Sequence, residues 1–163
     1  CRRLDIDSGR LWVPRMLFHL LESQPIYYKS RGRIMAVVTL NRSNFKDTIV
    51  NNAIVIVDFW APWCEPCVNF TDVFTAASEK NPDIVFGMVD TDDQPEIAEY
   101  FEVKKVPGIL VIREQAGIHA QIGEIGAPAL DKLIEWTRDF DMTQVRAYLA
   151  EEDARLAKEA AAK

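Results

Sequence analysis

Cys64 and Cys67 lie three residues apart in the run Val57-Asp58-Phe59-Trp60-Ala61-Pro62-Trp63-Cys64-Glu65-Pro66-Cys67, which closes a strand-like apolar stretch and opens a helix-like one. On the first turn of a helix, residues i and i+3 share a face, so one thiol reaches the other and the pair can open and close as a disulfide. The unpaired N–H groups and the dipole at a helix N-terminus favour a thiolate on Cys64, and the thiolate is the species that attacks a disulfide. Cys64 is therefore the expected nucleophile and Cys67 the resolving thiol. Asp58 lies inside the apolar strand, where burial raises a carboxyl pKa and suits proton exchange near neutral pH, so it is a candidate base for Cys67. The alternative for Asp58 is a solvent-facing acid or a structural hydrogen-bond acceptor. Trp63, next to the reactive thiol, offers a flat apolar contact for a protein substrate, whereas Trp60 reads mainly as a core aromatic. Pro66 fixes φ without contributing a donor, which suits a first helical turn and limits the motion of the two sulfurs.

The elements that must position these residues alternate. Residues 36–40 read as a strand and Ser43 to Val50 as a helix, followed by a nearly continuous apolar strand, Ile54 to Phe59, of the kind buried on both faces. A helix from Cys64 to Lys80, a turn at Asn81-Pro82-Asp83 and a buried strand from Ile84 to Val89 make a parallel pair with a crossover helix. Pro95 to Phe101 is a short helix, and Gly108 to Arg113 is a strand whose hairpin partner is Ile118 to Ile122. Gly123 and Gly126 end that strand. Ala127 to Phe140 then reads as a helix presenting Leu130, Leu133, Ile134, Trp136 and Thr137 to the sheet. Asp141 and Gln144 fit a capping box for a last helix running to about Ala162, with Val145, Tyr148, Leu149 and Leu156 on one face for packing or for a partner.

Composition narrows the remaining choices. With 163 residues, 48% hydrophobic and 27% charged, the chain has the make-up of one soluble globular domain. No apolar stretch approaches the roughly 20 residues that span a bilayer. Residues 1–34 hold seven Lys and Arg against three Asp and Glu, and residues 35–163 hold twelve against twenty-two, a net −10 that disfavours nucleic acid and anionic lipid as partners. Three cysteines, Cys1, Cys64 and Cys67, are an odd count with one close pair, unlike a secreted disulfide framework, so a reducing, cytoplasmic setting is expected. The isolated His19 and His119 do not complete a four-ligand zinc set, and no metal is expected. Residues 1–34 show no sustained period and read as a poorly ordered tail that lacks the full pattern of an export or transit signal. Met35 opens the first well-patterned stretch and is read as the natural start, a genuine extension being the alternative.

The order of elements, the motif Trp63-Cys64-Glu65-Pro66-Cys67 and Val106-Pro107 some forty residues later resemble the thioredoxin family over residues 35–138. The remaining divisions are the tail, 1–34, and a helical extension, 139–163. The resemblance implies an α/β fold of three layers, a central mixed sheet flanked by helices, with the dithiol at the start of a long helix. It implies a cis bond before Pro107, facing the dithiol, so that the backbone of Val106 can pair with an extended substrate. Gly123 matches the glycine lining the substrate groove, to which Trp63, Pro62, Val106 and Pro107 also contribute. The implied activity is protein-disulfide reduction by a monomer without a bound cofactor, resupplied with electrons by thioredoxin reductase. A binding or chaperone-like module, or an exported oxidase or isomerase, is the alternative. Four residues depart from the family pattern: Glu65 stands for a common glycine, Met88 for a lysine near the buried acid, Gly108 for a threonine, and Asp72 for a helix-kinking proline. Glu65 is expected to raise the Cys64 pKa modestly, and Met88 to raise that of Asp58.

Overall fold

The computed structural model describes residues 2–6, 9–13 and 37–161. Cys1, the start at Met35, the basic stretch Tyr28–Arg33, most of the Leu11–Leu21 patch and the last turn at Ala162 lie outside the described residues. Chain order is β1 (Arg2–Ile6), β2 (Gly9–Val13), β3 (Val38–Thr39), α1 (Phe45–Val50), β4 (Ile54–Trp60), α2 (Glu65–Lys80), β5 (Val85–Asp90), α3 (Pro95–Tyr100), β6 (Gly108–Arg113), β7 (Ala116–Ile122), α4 (Ala127–Asp139) and α5 (Thr143–Ala161). The strands form one sheet in the order β1-β2-β7-β6-β4-β5-β3.

β4 lies inside the sheet between β6 and β5, as its nearly continuous apolar run requires. It pairs in parallel with β5 (Asp58↔Met88) and antiparallel with β6 (Asp58↔Ile109). Alternation sends its side chains to opposite faces. Val55, Val57 and Phe59 join Leu40, Ile49 and Ile97 on the α1/α3 side, whereas Ile56 joins Phe70, Phe74, Leu130 and Ile134 on the α2/α4 side. The two cores make the three expected layers. Phe74 of α2 meets Phe86 of β5 edge to face at 5.0 Å, fixing α2 against the strands that lead to the dithiol. Gly87 sits at a close approach: a Cβ there would lie 2.3 Å from Leu40 Cδ1, so the buried Leu40 side chain would have to shift.

Several local findings differ from the sequence expectations, among them a β7 that begins at Ala116 and an α1 that begins at Phe45. The strand expected over residues 36–40 is shorter among the described residues, of which only Val38 and Thr39 join the ladder, although the Leu40 N–H still donates to Met88 O at 2.8 Å. Within the stretch read as a tail, β1 and β2 pair as a hairpin and Trp12 registers with Gly117 of β7, a pairing that no local periodicity announces. On α4, Leu130, Ile134 and Thr137 are buried as expected, but Trp136 is 39% exposed and meets His119 of β7 edge-on and Phe140 at a tilt.

The last helix attaches through its first turns. Met142 and Val145 are buried in the α2/α4 core, with Tyr148 and Leu149 packed against it. Asp141 accepts from the Thr143 N–H (2.9 Å) and from its hydroxyl (2.6 Å), so the cap closes on Thr143 and not on Gln144. Among the described residues, no helix is long and apolar enough to cross a membrane.

Candidate active site

β4 ends at Trp60, and four residues later the chain turns into α2 with Cys64 as its N-cap. Cys64 keeps an extended backbone (φ −89°, ψ 98°), and its sulfur accepts from the Cys67 N–H at 3.3 Å. An N-cap side chain normally satisfies one of the free N–H groups of the first turn, and here a sulfur does so. Pro66 stands in that turn, where its missing N–H costs nothing. The spacing read from sequence brings the thiols together: Cys64 and Cys67 are joined by a disulfide with S–S 2.05 Å and Cα–Cα 5.3 Å. Cys64 is 4% exposed and Cys67 fully buried, so the pair presents itself at the surface through Cys64.

Val106-Pro107 is a cis peptide, and Val106 packs on the cluster of Ala61, Cys64 and Cys67 together with Trp60. Trp60 is thus partly buried beside the cysteines, consistent with a mainly packing role. Gly123 has φ +97°, a conformation that L side chains rarely adopt, and its N–H donates to Pro107 O at 2.8 Å. The glycine turn therefore closes against the cis-proline. Gly108, next in the chain, pairs with Phe59 on one side and Ile122 on the other, which sets the dithiol, the cis-proline and the end of β7 at one end of the sheet.

Asp58 shares the sheet face of Ile56, toward the helix that carries Cys67. It is fully buried, neither carboxylate oxygen has a hydrogen-bond partner, and its cross-strand neighbours Met88 and Ile109 are apolar. Burial pushes this carboxyl up from an ordinary 3.8 to about 7. An unpartnered buried acid is a costly feature, and one titrating near neutrality is equipped to hold or release a proton. The solvent-facing alternative for Asp58 is thereby removed.

Trp63 is 71% exposed, and its Nε1 donates to Asp92 Oδ2 at 3.0 Å. Sequence reasoning missed three residues of this end: Asp92, and the exposed apolar Val68 and Ile122. Val68 directly follows Cys67 and Ile122 directly precedes Gly123, so adjacency to the motif residues was the available signal; the Trp63–Asp92 contact spans 29 positions and left none. Among the described residues, no group of three or more His, Cys, Asp or Glu is arranged to hold a metal ion.

Comparison with known proteins gives a consistent result. The family model for thioredoxin matches residues 36–138. The chain is similar to the Streptomyces coelicolor protein named "Putative thioredoxin 2", 43% identical over 119 residues that cover 73% of this chain and 89% of that one. It is also 31% identical to the thioredoxin of Porphyra purpurea, over 61% of this chain and 95% of the other. Among solved structures, mitochondrial thioredoxin 3 from Saccharomyces cerevisiae, in its oxidised form, superposes with a TM-score of 0.57 at 31% identity, covering 61% of this chain and 94% of that one.

Proposed function

This chain belongs to the thioredoxin family, and from that membership we propose a reaction cycle for its residues. The chain is a thiol-disulfide reductase whose working group is the Cys64–Cys67 pair. In the proposed cycle the Cys64 thiolate attacks one sulfur of a substrate disulfide, and the other substrate sulfur leaves as a thiolate. Cys67 gives its proton to Asp58, directly or through water, and its thiolate attacks Cys64 Sγ, which expels the second substrate thiolate. Two electrons have then passed to the substrate, and Cys64 and Cys67 are left as a disulfide. Trp63, Pro66, Val106, Pro107 and Gly123 form the contact surface, with the Val106 backbone pairing with an extended substrate chain. Protein disulfides are the substrates, thioredoxin reductase restores the dithiol, and the chain works as a monomer in the cytoplasm.

The observation that carries this reading is a Cys64–Cys67 disulfide at the start of α2, packed against a cis Val106-Pro107. The test is reduction of a protein disulfide with NADPH and thioredoxin reductase, comparing the parent with Cys64→Ser. Turnover by the parent and none by the variant is expected; a parent without turnover refutes the reading. Equilibration with glutathione then separates a reductant, near −270 mV for the family, from a strong oxidant, near −120 mV.

A further inference from the structure

We propose that Met88 is an oxidation site that controls the reductase: hydrogen peroxide converts its thioether to a sulfoxide, whose oxygen accepts a hydrogen bond from the protonated Asp58 carboxyl and so slows proton transfer from Cys67. The inference rests on the reductase reading above. Met88 and Asp58 stand in register on the parallel strands β5 and β4, about 4.8 Å apart between backbones, so their side chains leave one face of the sheet side by side. That face is the α2/α4 side, where Met88 packs on the cluster of Ile56, Phe70 and Phe74.

Asp58 is fully buried and neither of its oxygens has a hydrogen-bond partner, so a strong acceptor brought beside it relieves an unmet donor whenever the carboxyl is protonated. The thioether of Met88 is a weak acceptor, and a sulfoxide is a polar one. Met88 is also open to a small oxidant. It is only partly buried, whereas Met142, the other methionine among the described residues, is 2% exposed. Beyond Met88, among the described residues, the sheet continues only through the two residues of β3, with Thr39 as its neighbour. In the step itself a lone pair of Met88 Sδ attacks one peroxide oxygen, the S–O bond forms and the O–O bond breaks. The proton on the transferred oxygen passes to the departing hydroxide, which leaves as water; the sulfur loses two electrons and the peroxide gains two. An Asp58 carboxyl that keeps its own proton cannot take one from Cys67, so the attack of Cys67 on the mixed disulfide is the step that slows.

The test treats the disulfide form with hydrogen peroxide, because Cys64 and Cys67 then hold no thiolate to oxidise, removes the peroxide, and measures protein-disulfide turnover with NADPH and thioredoxin reductase. A gain of about 16 Da on the peptide carrying Met88, one added oxygen, should accompany a roughly 2- to 10-fold fall in turnover, the order of one hydrogen bond. Methionine sulfoxide reductases acting on both sulfoxide epimers should reverse the two changes together. Met88→Leu keeps the side-chain volume, so it should turn over like the parent before peroxide and hold its rate afterwards. Asp58→Asn has no carboxyl proton to capture, so oxidation of Met88 should leave its already lowered rate where it was. A Met88 peptide that gains no oxygen, or an oxidised parent with an unchanged rate, overturns the proposal. The same fractional loss in Asp58→Asn also overturns it, since disturbed packing would then be the cause. If the untreated parent does not turn over, the reductase reading falls and the control with it, while the mass still decides whether Met88 is the oxidised residue.

Discussion

The two ends of the central sheet differ in what they leave without a partner or open to solvent. At the end away from the dithiol, charged side chains are spent on partners: Arg113 Nη1 donates to the carbonyls of Thr137, Arg138 and Phe140 at 2.7, 3.0 and 3.0 Å, closing the end of α4. Arg138 grips Asp83 and Asn81 across the turn before β5, and Arg146 of α5 meets Glu114 of the β6–β7 turn. At the dithiol end the buried Asp58 carboxylate has no hydrogen-bond partner, and Trp63, Val68 and Ile122 face solvent. One end is arranged to hold the fold; the other carries costs that only chemistry and recognition explain. The same strands supply both, since β4 and β6 each run from one end to the other.

Five variants test this polarity, from the largest effect to the smallest. Cys64→Ser should reduce disulfide turnover by more than about a thousandfold while leaving the urea midpoint of the reduced protein almost in place, and Cys67→Ser should accumulate a mixed disulfide visible by mass. A Cys64→Ser variant that unfolds as readily as it loses activity would mean that the thiol end also holds the fold.

Asp58→Asn should stabilise the protein at alkaline pH by up to roughly 4 kcal/mol. The sign follows from folding raising this pKa from 3.8 to about 7. The unfolded chain loses the proton first, so the contribution of Asp58 is most favourable below about pH 4, falls between about 4 and 7, and is level above that. Urea unfolding across this range should show the parent losing ground to the variant as pH rises; parallel curves would mean that Asp58 is solvated or paired.

At the opposite end, Arg113→Met should cost about 1–3 kcal/mol, because three carbonyls lose their donor, with turnover per folded molecule unchanged. Denaturation and activity measured on the same preparation check both halves. The smallest effect is expected from Glu114→Gln. Its pair with Arg146 lies at the surface, so the midpoint of the variant should merge with that of the parent at high salt. A gap that persists in salt would mean that the Glu114–Arg146 contact holds α5 by more than exposed ion pairing.

Legibility in the sequence followed the range of the interaction. β6 was bounded correctly at Gly108–Arg113, and β4, α2, α3 and α4 to within about a residue at each end, because alternating or helical apolar patterns and turn residues are local signals. The cysteine pair was legible for the same reason, its partner lying three positions away. Burial of Asp58 could be read from an apolar run that covers both faces of the strand, with Ile56 on its own face, though the absence of any hydrogen-bond donor could not, since its surroundings come from β5 and β6. The cis bond before Pro107 came from family resemblance, not from any property of Val106 and Pro107 alone. What local pattern could not carry was pairing across the sheet or between loops: the β1–β2 hairpin on the edge of β7, the exposure of Trp136, and the Trp63–Asp92 bond.

The shortness of β3 has a consequence for the molecule in a crowded solution. A sheet margin presents unused N–H and C=O groups on which a foreign strand can grow, and long, flat margins are where aggregation starts. Among the described residues the margin at β3 is two residues, Val38 and Thr39, after which the chain turns away through Asn41 and Asn44, whose side chains bind nearby main chain. Lengthening this strand with β-branched residues would create the template for self-association that its brevity withholds.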